Sequence, residues 1–364
     1  MRHQKLTMNK MKFTLPLLAL LLVMVAACRN DDDGGPDGIP VRDRGDESGV
    51  SQDIIETYLQ THFYNYEEFA NPPADFDFRI TFDTIAGDNA SKTPLIDQVV
   101  SKTVQDRIED DVTYTLYYLV VDEGEGDAVQ FPDVALANFR GIYIDERIID
   151  DEDDIDGDGN TEEDITIYPS ELFDQSVNPI NFDLTGIVNG LQDAFIEFKG
   201  AGSFQTNTDG TVSFEDYGNG AVFIPSGLGY FFEPPPQSGI PLYSQLIFTF
   251  QIFNRQQGDQ DGDSIPSIFE DRNGNGLEED DDTDEDGQFD VFDADDDNDG
   301  RPTRDEVVET MYTVNPGDSG PTLASNEIEV NREIDPITGV ITITTITYTD
   351  TDGDGIADYI DSDS

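Results

Sequence analysis

The chain has no tryptophan, one cysteine, two histidines and only 19 lysines and arginines among its 364 residues. Each scarcity removes a class of protein. A single cysteine, Cys28, allows no intramolecular disulfide, so the fold is not a disulfide scaffold. The two histidines are His3 and His62, which offer neither a histidine-based zinc site nor a Ser/His/Asp triad in useful context. The shortage of basic residues excludes a general nucleic-acid binder, which needs them to displace counterions from phosphate. It equally argues against charge-driven attachment to anionic lipid. No glycine loop of the phosphate-cradling kind is present.

What the chain has is acid: 79 aspartates and glutamates give a formal net charge of −60. Self-repulsion of that size opposes compaction unless cations offset it. Much of it lies in a few Asp-dense runs, which points to bound metal. The length is enough for two or three domains.

At the N-terminus, Arg2, Lys5, Lys10 and Lys12 precede an apolar run over residues 15–27. The run is short for a membrane span and has the form of a signal h-region. It ends Val25-Ala26-Ala27-Cys28, which resembles a bacterial lipobox and implies that Cys28 is the lipidated residue. The alternative is an ordinary secretory signal with an incidental cysteine. Arg29 and Asn30 follow, then Asp31-Asp32-Asp33. No aspartate directly follows Cys28, so the usual inner-membrane retention signal is missing. The expectation is an outer-membrane lipoprotein, with the acidic triplet resembling a surface-export signal.

Composition divides the rest. Residues 29–49, rich in Asp, Gly, Pro and Arg, read as a flexible tether. Ile54, Ile55, Tyr58, Leu59 and Phe63 fall near helical spacing, which predicts a short amphipathic helix over 50–65 with Ser51 as its N-cap. Alternation at Phe76, Phe78, Ile80 and Phe82 predicts a strand over 76–85, and residues 112–121 read as a second. A helix is expected over 187–198, where Val188, Leu191, Phe195 and Phe198 recur at spacings near 3–4. Acidic or polar insertions occupy 150–164 and 202–220. Residues 326–349 alternate around Asp335-Pro336-Ile337-Thr338-Gly339, a β-hairpin pattern.

Six pieces between residues 117 and 255 share one order with a known family. They are Phe139-Arg140-Gly141, Phe173-Asp174-Gln175-Ser176, Phe182-Asp183-Leu184, Val188-Asn189-Gly190-Leu191, Phe223-Ile224-Pro225-Ser226-Gly227-Leu228-Gly229-Tyr230, and Ile240-Pro241 leading to Leu246-Ile247-Phe248. In that order they resemble the FKBP-type peptidyl-prolyl isomerases. The resemblance implies an α+β fold, with an FKBP-like curved antiparallel sheet wrapped on a short helix. It implies proline-containing polypeptides as partners and rotation about the Xaa-Pro bond, a step that uses no cofactor. Asp174, Tyr230, Phe173 and Phe248 match its catalytic positions. Phe139, Phe182, Ile187, Val188, Leu191 and Ile240 match its substrate-binding positions. Leu191 stands where the family has a tryptophan, Phe139 where it has a tyrosine, and Phe231 where a glycine follows the tyrosine. A non-catalytic binding module on the same scaffold is the second reading.

Beyond residue 255 the Asp runs have loop spacing. Asp295, Asp297, Asp299 and Gly300 are followed by Glu306 at position 12, the pattern of a loop that turns alternate oxygens onto a hard cation. Asp350, Asp352, Asp354 and Gly355 repeat it, with Asp361 at position 12. Asp259, Asp261 and Asp263 form a third start with Asp271 closing it, and Asp282, Asp284, Asp286 and Gly287 a fourth. Asp271, Asn273 and Asn275 form a weaker fifth, and residues 154–162 hold a further candidate. No flanking helices are evident, so the run resembles thrombospondin type-3 repeats, with Ca2+ in a structural role. A disordered acidic tail is the bland alternative. The expected organisation is therefore a lipoprotein signal (1–28), tether (29–49), N-terminal helix and strand segment (50–112), FKBP-like domain (113–255) and calcium-binding repeats with a hairpin (256–364).

Overall fold

The computed structural model describes residues 40–150, 164–274, 276, 280–335 and 338–363. The signal run, Cys28, the Asp31–Asp33 triplet, Asn275 and the loop candidate at 154–162 lie outside the described residues. Residues 42–364 form one unit, and every element below belongs to it.

In chain order the elements are α1 (Arg44–Thr61), β1 (His62–Tyr64), α2 (Tyr66–Ala70), β2 (Phe82–Thr84), β3 (Val100–Gln105), β4 (Thr113–Asp122), β5 (Val134–Ile144), β6 (Arg147–Asp150), β7 (Asp164–Ile167), β8 (Ser170–Asp183), α3 (Asn189–Phe195), β9 (Ser203–Thr206), β10 (Val212–Glu215), β11 (Gly218–Ile224), β12 (Leu246–Gln256), β13 (Val307–Val314), β14 (Glu327–Ile334) and β15 (Ile341–Tyr348). The described chain is mostly sheet with few helices, consistent with an FKBP-like arrangement.

The main sheet has six strands in the order β3-β4-β11-β12-β5-β8, every pair antiparallel. Its two faces divide by alternation, since successive side chains of a strand point opposite ways. Along β11, Val222 and Ile224 face one core while Ala221 and Phe223 face another. The first core is covered by Leu191, Ala194 and Phe195 of α3. The second is covered by Ile55, Tyr58 and Leu59 of α1. All seven residues of β11 are buried, as a central strand covered on both faces must be.

The N-terminal region departs from its sequence pattern at several points, one being that the helix expected to 65 stops at Thr61 and Phe63 lies in β1. The helix begins at Arg44, inside the expected tether, because the Asp43 carboxylate accepts the Asp46 N–H at 2.9 Å and caps it. Ser51, expected at the cap, sits in mid-helix and is buried. The strand expected over 76–85 shortens to β2. Phe69, Phe76 and Phe78 instead pack edge to face or tilted, with centroids 5.0–6.3 Å apart, and Phe78 adopts a left-handed φ of 56°. The expected boundary at 112/113 falls between β3 and β4, which pair over six residues in one sheet. Residues 42–112 thus supply an edge strand and the cover of a whole sheet face.

Downstream, β4 lies one residue C-terminal of the strand expected over 112–121, and α3 falls within its expected segment, though it is only seven residues. The insertion over 202–220 forms the hairpin β9–β10 and the start of β11. The hairpin expected near 326–349 is β14–β15, and β13 joins it to make the order β13-β15-β14.

Candidate functional site

Nine of the ten residues singled out for a proline pocket line a single cavity of about 440 Å³: Asp174, Tyr230, Phe173, Phe248, Phe139, Phe182, Ile187, Val188 and Leu191. Five segments bring them together, the turn after β11 giving Tyr230 and the residue before α3's N-cap giving Ile187. Strand β5 gives Phe139, β8 gives Phe173, Asp174 and Phe182, the start of α3 gives Val188 and Leu191, and β12 gives Phe248. Ile240 is the exception. It is buried in the same apolar cluster but does not line the cavity.

The aromatic wall is interlocked. Phe139 meets Phe182 edge to face with centroids 5.2 Å apart, and Phe173 meets Phe248 likewise at 5.6 Å. Such contacts fix ring orientation. Gly141 makes the second pair possible, since a Cβ there would lie 2.6 Å from Phe173 Cζ. Gly190 lets α3 close on the sheet, where a Cβ would lie 2.5 Å from Ile224 Cγ2.

Two donors at the cavity are free. Among the described residues, neither the Val188 N–H nor the Tyr230 hydroxyl finds an acceptor in the chain. Burial, and then the nearby Asp174 charge, push the Tyr230 hydroxyl above its ordinary range, so it remains protonated. Asp174 is exposed at the rim, and its Oδ1 accepts the Gln175 N–H at 2.8 Å.

The turn that carries Tyr230 is held from the opposite layer. The Arg44 guanidinium donates to the Gly227 carbonyl at 2.7 Å and pairs with the buried Asp106 at 2.6 Å. It also lies 4.4 Å from the centroid of Phe231. Phe231 has a left-handed φ of 47°, a conformation that costs a non-glycine residue roughly 1–2 kcal/mol. Packing with Phe232 and Tyr243 offsets that cost. This explains how phenylalanine is accommodated where the resembled family has glycine.

Among the described residues the acidic region contains four complete loops of one construction, starting at Asp259, Asp282, Asp295 and Asp350. A fifth start at Asp271 has left-handed Gly274 and Gly276 at its positions 4 and 6 and continues into residues outside the described ones. Each complete loop is closed by the same backbone bond, Ser267 N–H to Gly258 O, Asp290 to Asp281, Thr303 to Ala294 and Asp358 to Thr349, at 2.9–3.0 Å. Each has left-handed residues at positions 4 and 6: Gly262 and Ser264, Glu285 and Gly287, Asn298 and Gly300, Gly353 and Gly355. That backbone turns alternate carboxylates inward. Asp282, Asp284 and Asp286 have oxygens within 4.8 Å of one another, as do Asp295, Asp297 and Asp299, and Asp350, Asp352 and Asp354.

The first loop assembles differently from its sequence pattern. Asp261 and Asp263 converge with Glu270 and with Asp296 of the third loop, while Asp259 and Asp271 stand outside the cluster. Asp259 instead accepts the Gly262 N–H, and Asp271 accepts those of Gly274 and Gly276, each at 2.8 Å. Glu270, not Asp271, occupies position 12 counted from Asp259, as Glu306 does from Asp295. That spacing was visible in the sequence; the contribution of Asp296 was not. Asp361 is not part of the last loop's cluster, and its charge is felt instead at Asp297.

These carboxylates suit a hard cation. Oxygens of Asp261, Asp263, Glu270, Asp282, Asp295, Asp296, Asp297 and Glu306 are buried and accept no hydrogen bond. Burial first, then neighbouring negative charge, push Asp261 up to about 8, Glu270 to about 10, Asp296 to about 9 and Glu306 to about 7. Ser267 tempers the Glu270 shift without making a hydrogen bond of normal geometry. A divalent ion would supply the charge that holds these acids ionised together.

Against known protein families the chain finds no match, and none among curated proteins. Solved structures do show likeness. FkpA from Escherichia coli is 23% identical, with 39% of this chain and 48% of that one covered and a TM-score of 0.25. A peptidyl-prolyl cis-trans isomerase from Pseudomonas syringae pv. tomato is 13% identical, over 58% of this chain and 96% of that one, at 0.28. The N-terminal domain of FKBP42 from Arabidopsis thaliana is 11% identical, over 44% and 96%, at 0.26. The chain thus spans about half the length of FkpA.

Proposed function

We propose that the chain is a peptidyl-prolyl cis-trans isomerase that assists the folding of exported proteins. The observation that carries this reading is the pair of free donors, Tyr230 hydroxyl and Val188 N–H, at an aromatic cavity of about 440 Å³. The chemistry needs no nucleophile. Rotation about the amide is opposed by a barrier of about 18–20 kcal/mol from C–N double-bond character. Catalysis means favouring the twisted amide over the planar one. The twisted amide has lost charge separation, so an apolar site suits it. The proline ring would rest among Phe139, Phe173, Phe182 and Phe248. The Val188 N–H and the Tyr230 hydroxyl would hold the flanking carbonyls, and Asp174 would stand at the rim.

The test is exchange between cis and trans forms of a short Ala-Pro peptide, followed by NMR exchange spectroscopy with calcium present. Acceleration that falls at least tenfold in Asp174→Val and in Tyr230→Phe is expected. Full activity in both variants would refute the site. A second reading, a non-catalytic module that holds a proline-bearing segment, is favoured by Leu191 at the cavity, where the resembled family has tryptophan. It predicts peptide binding without acceleration.

The loops of residues 259–361 are read as structural Ca2+ sites, supported by their buried, unpartnered carboxylate oxygens. Anchoring through a lipid on Cys28, with the chain at the outer membrane, completes the proposal. Loss of the membrane-bound fraction in Cys28→Ser would be its signature.

A further inference from the structure

Asp296 points out of its own loop. It is position 2 of the loop that starts at Asp295, and in such loops positions 1, 3 and 5 turn toward the ion. The other three complete loops place neutral residues there. Gln260 donates to the Pro132 carbonyl at 2.8 Å. Thr283 and Thr351 donate through their hydroxyls to Asp290 and Asp358 of their own loops, at 2.6 and 2.7 Å. Asp296 is 2% exposed, and both its carboxylate oxygens are buried with no hydrogen-bond partner. Its backbone is anchored, since its N–H donates to Thr303 Oγ1 at 3.2 Å.

The Asp296 side chain is aimed at the first loop. One of its oxygens lies within 4.8 Å of oxygens of Asp261, Asp263 and Glu270. Those three residues are positions 3, 5 and 12 of the first loop, whose position 1, Asp259, stands outside the cluster. Glu270, also 2% exposed, has both oxygens unpartnered as well. An isolated buried carboxylate is strongly disfavoured, and four around one point are more so unless a cation joins them.

We propose that Asp296 completes the first loop's site, so that one hard divalent cation of the calcium class binds Asp261, Asp263, Glu270 and Asp296 and clamps the first loop to the third. The proposal rests on reading these loops as calcium sites. The clamp accounts for how a region with little apolar core holds together. Its small cluster of buried apolar residues is Ile265, Ile346 and Tyr359. Tyr359 stacks on Tyr348 with centroids 5.2 Å apart. Both tyrosines feel the cluster's charge, Tyr348 that of Glu270 and Asp263, and Tyr359 that of Asp296 and Glu270. An ion there is thus placed to be sensitised by tyrosine.

The experiment counts calcium by titration on the full chain and reads tyrosine-sensitised terbium emission. It uses wild type, Asp296→Ala, Glu270→Gln and, as a control in another loop, Asp352→Asn. In both clamp variants one ion should be lost or weakened at least tenfold, with a loss of terbium emission that Asp352→Asn does not share. Both clamp variants should be less stable than wild type with calcium and more stable without it, because each removes a buried acid that the ion-free fold must either protonate or hold against its neighbours. That change of sign separates loss of a ligand from general misfolding. If Glu270→Gln loses the ion but Asp296→Ala keeps wild-type affinity, the site belongs to the first loop alone and the clamp is refuted. If both variants bind as wild type does, or are more stable than wild type with calcium present, the acids merely share protons and the site is refuted. If wild type itself binds no calcium, the reading of the loops fails together with the clamp.

Discussion

The hydroxyl of Ser51, in the middle of α1, lies 3.0 Å from the hydroxyl of Ser226, and both residues are wholly buried. Ser226 opens the turn that leads to Tyr230, and its carbonyl accepts the Phe231 N–H at 3.0 Å. Gln245 adds a third contact, donating to Ser51 Oγ at 3.2 Å. Together with the Arg44 bond to Gly227, this fixes the tyrosine-bearing turn to a helix on the far side of the sheet.

Ser51→Ala should therefore act on the cavity from a distance. Removing one partner leaves buried polar groups unsatisfied, which costs about 1–3 kcal/mol. Urea unfolding should show a loss in that range. The variant should also bind an Ala-Pro peptide more weakly than wild type at a urea concentration where both are fully folded. Unchanged peptide binding together with reduced stability would mean that the helix supports the fold and not the cavity.

Much of this arrangement was legible beforehand, and what escaped has a physical cause. Strand β4 and the helix α3 announce themselves by period, because each has a buried face and a solvated or half-buried one. The cavity residues were found through ordered short motifs, which carry tertiary proximity that periodicity lacks. The first half of α1 was hidden, since the helix buries Arg44, Glu47 and Ser51 beside Ile55, Tyr58 and Leu59. The apolar stripe of Ile54, Ile55, Tyr58 and Leu59 revealed the second half, but the first half buries a polar network and has no such stripe to read. Strand β13 was hidden by the opposite effect. Its residues are nearly all exposed or half-buried, and pairing with β15 rather than burial defines it. In the loops, spacing revealed which carboxylates share a turn, but not that Asp296 faces its neighbour.

His62 should make the molecule sensitive to mild acid. Its ring stacks on Tyr58 with centroids 3.8 Å apart, at the core between α1 and the sheet. Burial lowers its pKa from 6.5 to about 4, against the opposing pull of the Tyr58 carbonyl and of Asp83. As pH falls below about 6.5 the unfolded chain takes a proton there that the folded chain refuses until about 4. The contribution of neutral His62 is thus fully present above that window and lost as pH falls through it. The stability difference between wild type and His62→Gln should shrink by on the order of 2–3 kcal/mol between pH 7 and pH 4. A difference constant with pH would mean that the ring is solvated in the folded state.

Calcium removal should act unevenly. On the proposed calcium reading the loops hold together through carboxylates that repel one another without a cation, whereas β11 and most of β12 are buried in the main sheet. Chelation with EGTA should speed amide exchange across the loops of residues 259–306 and 350–361. Protection in β11 and β12 should stay within a few-fold of the calcium-loaded protein. Collapse of the whole far-UV signal on chelation would instead make the loops a condition for the main sheet.

Leu191 offers the most direct probe of the cavity, because the chain has no tryptophan to obscure one placed there. It is 2% exposed and lines the cavity at the start of α3. Tryptophan at this position would present an aromatic face toward a bound proline ring, and burying on the order of 20–50 Å² more apolar surface there is worth about 0.5–1.3 kcal/mol. The larger side chain must also be absorbed by its neighbours, at roughly 1–3 kcal/mol of stability. Leu191→Trp should then bind an Ala-Pro peptide about 2–10-fold more tightly than wild type, by the free-energy equivalent of that burial. Its emission should shift on adding that peptide and stay still on adding the Ala-Ala analogue. Equal responses to the two peptides would show that the cavity does not distinguish proline, and the isomerase reading would lose the site on which it rests.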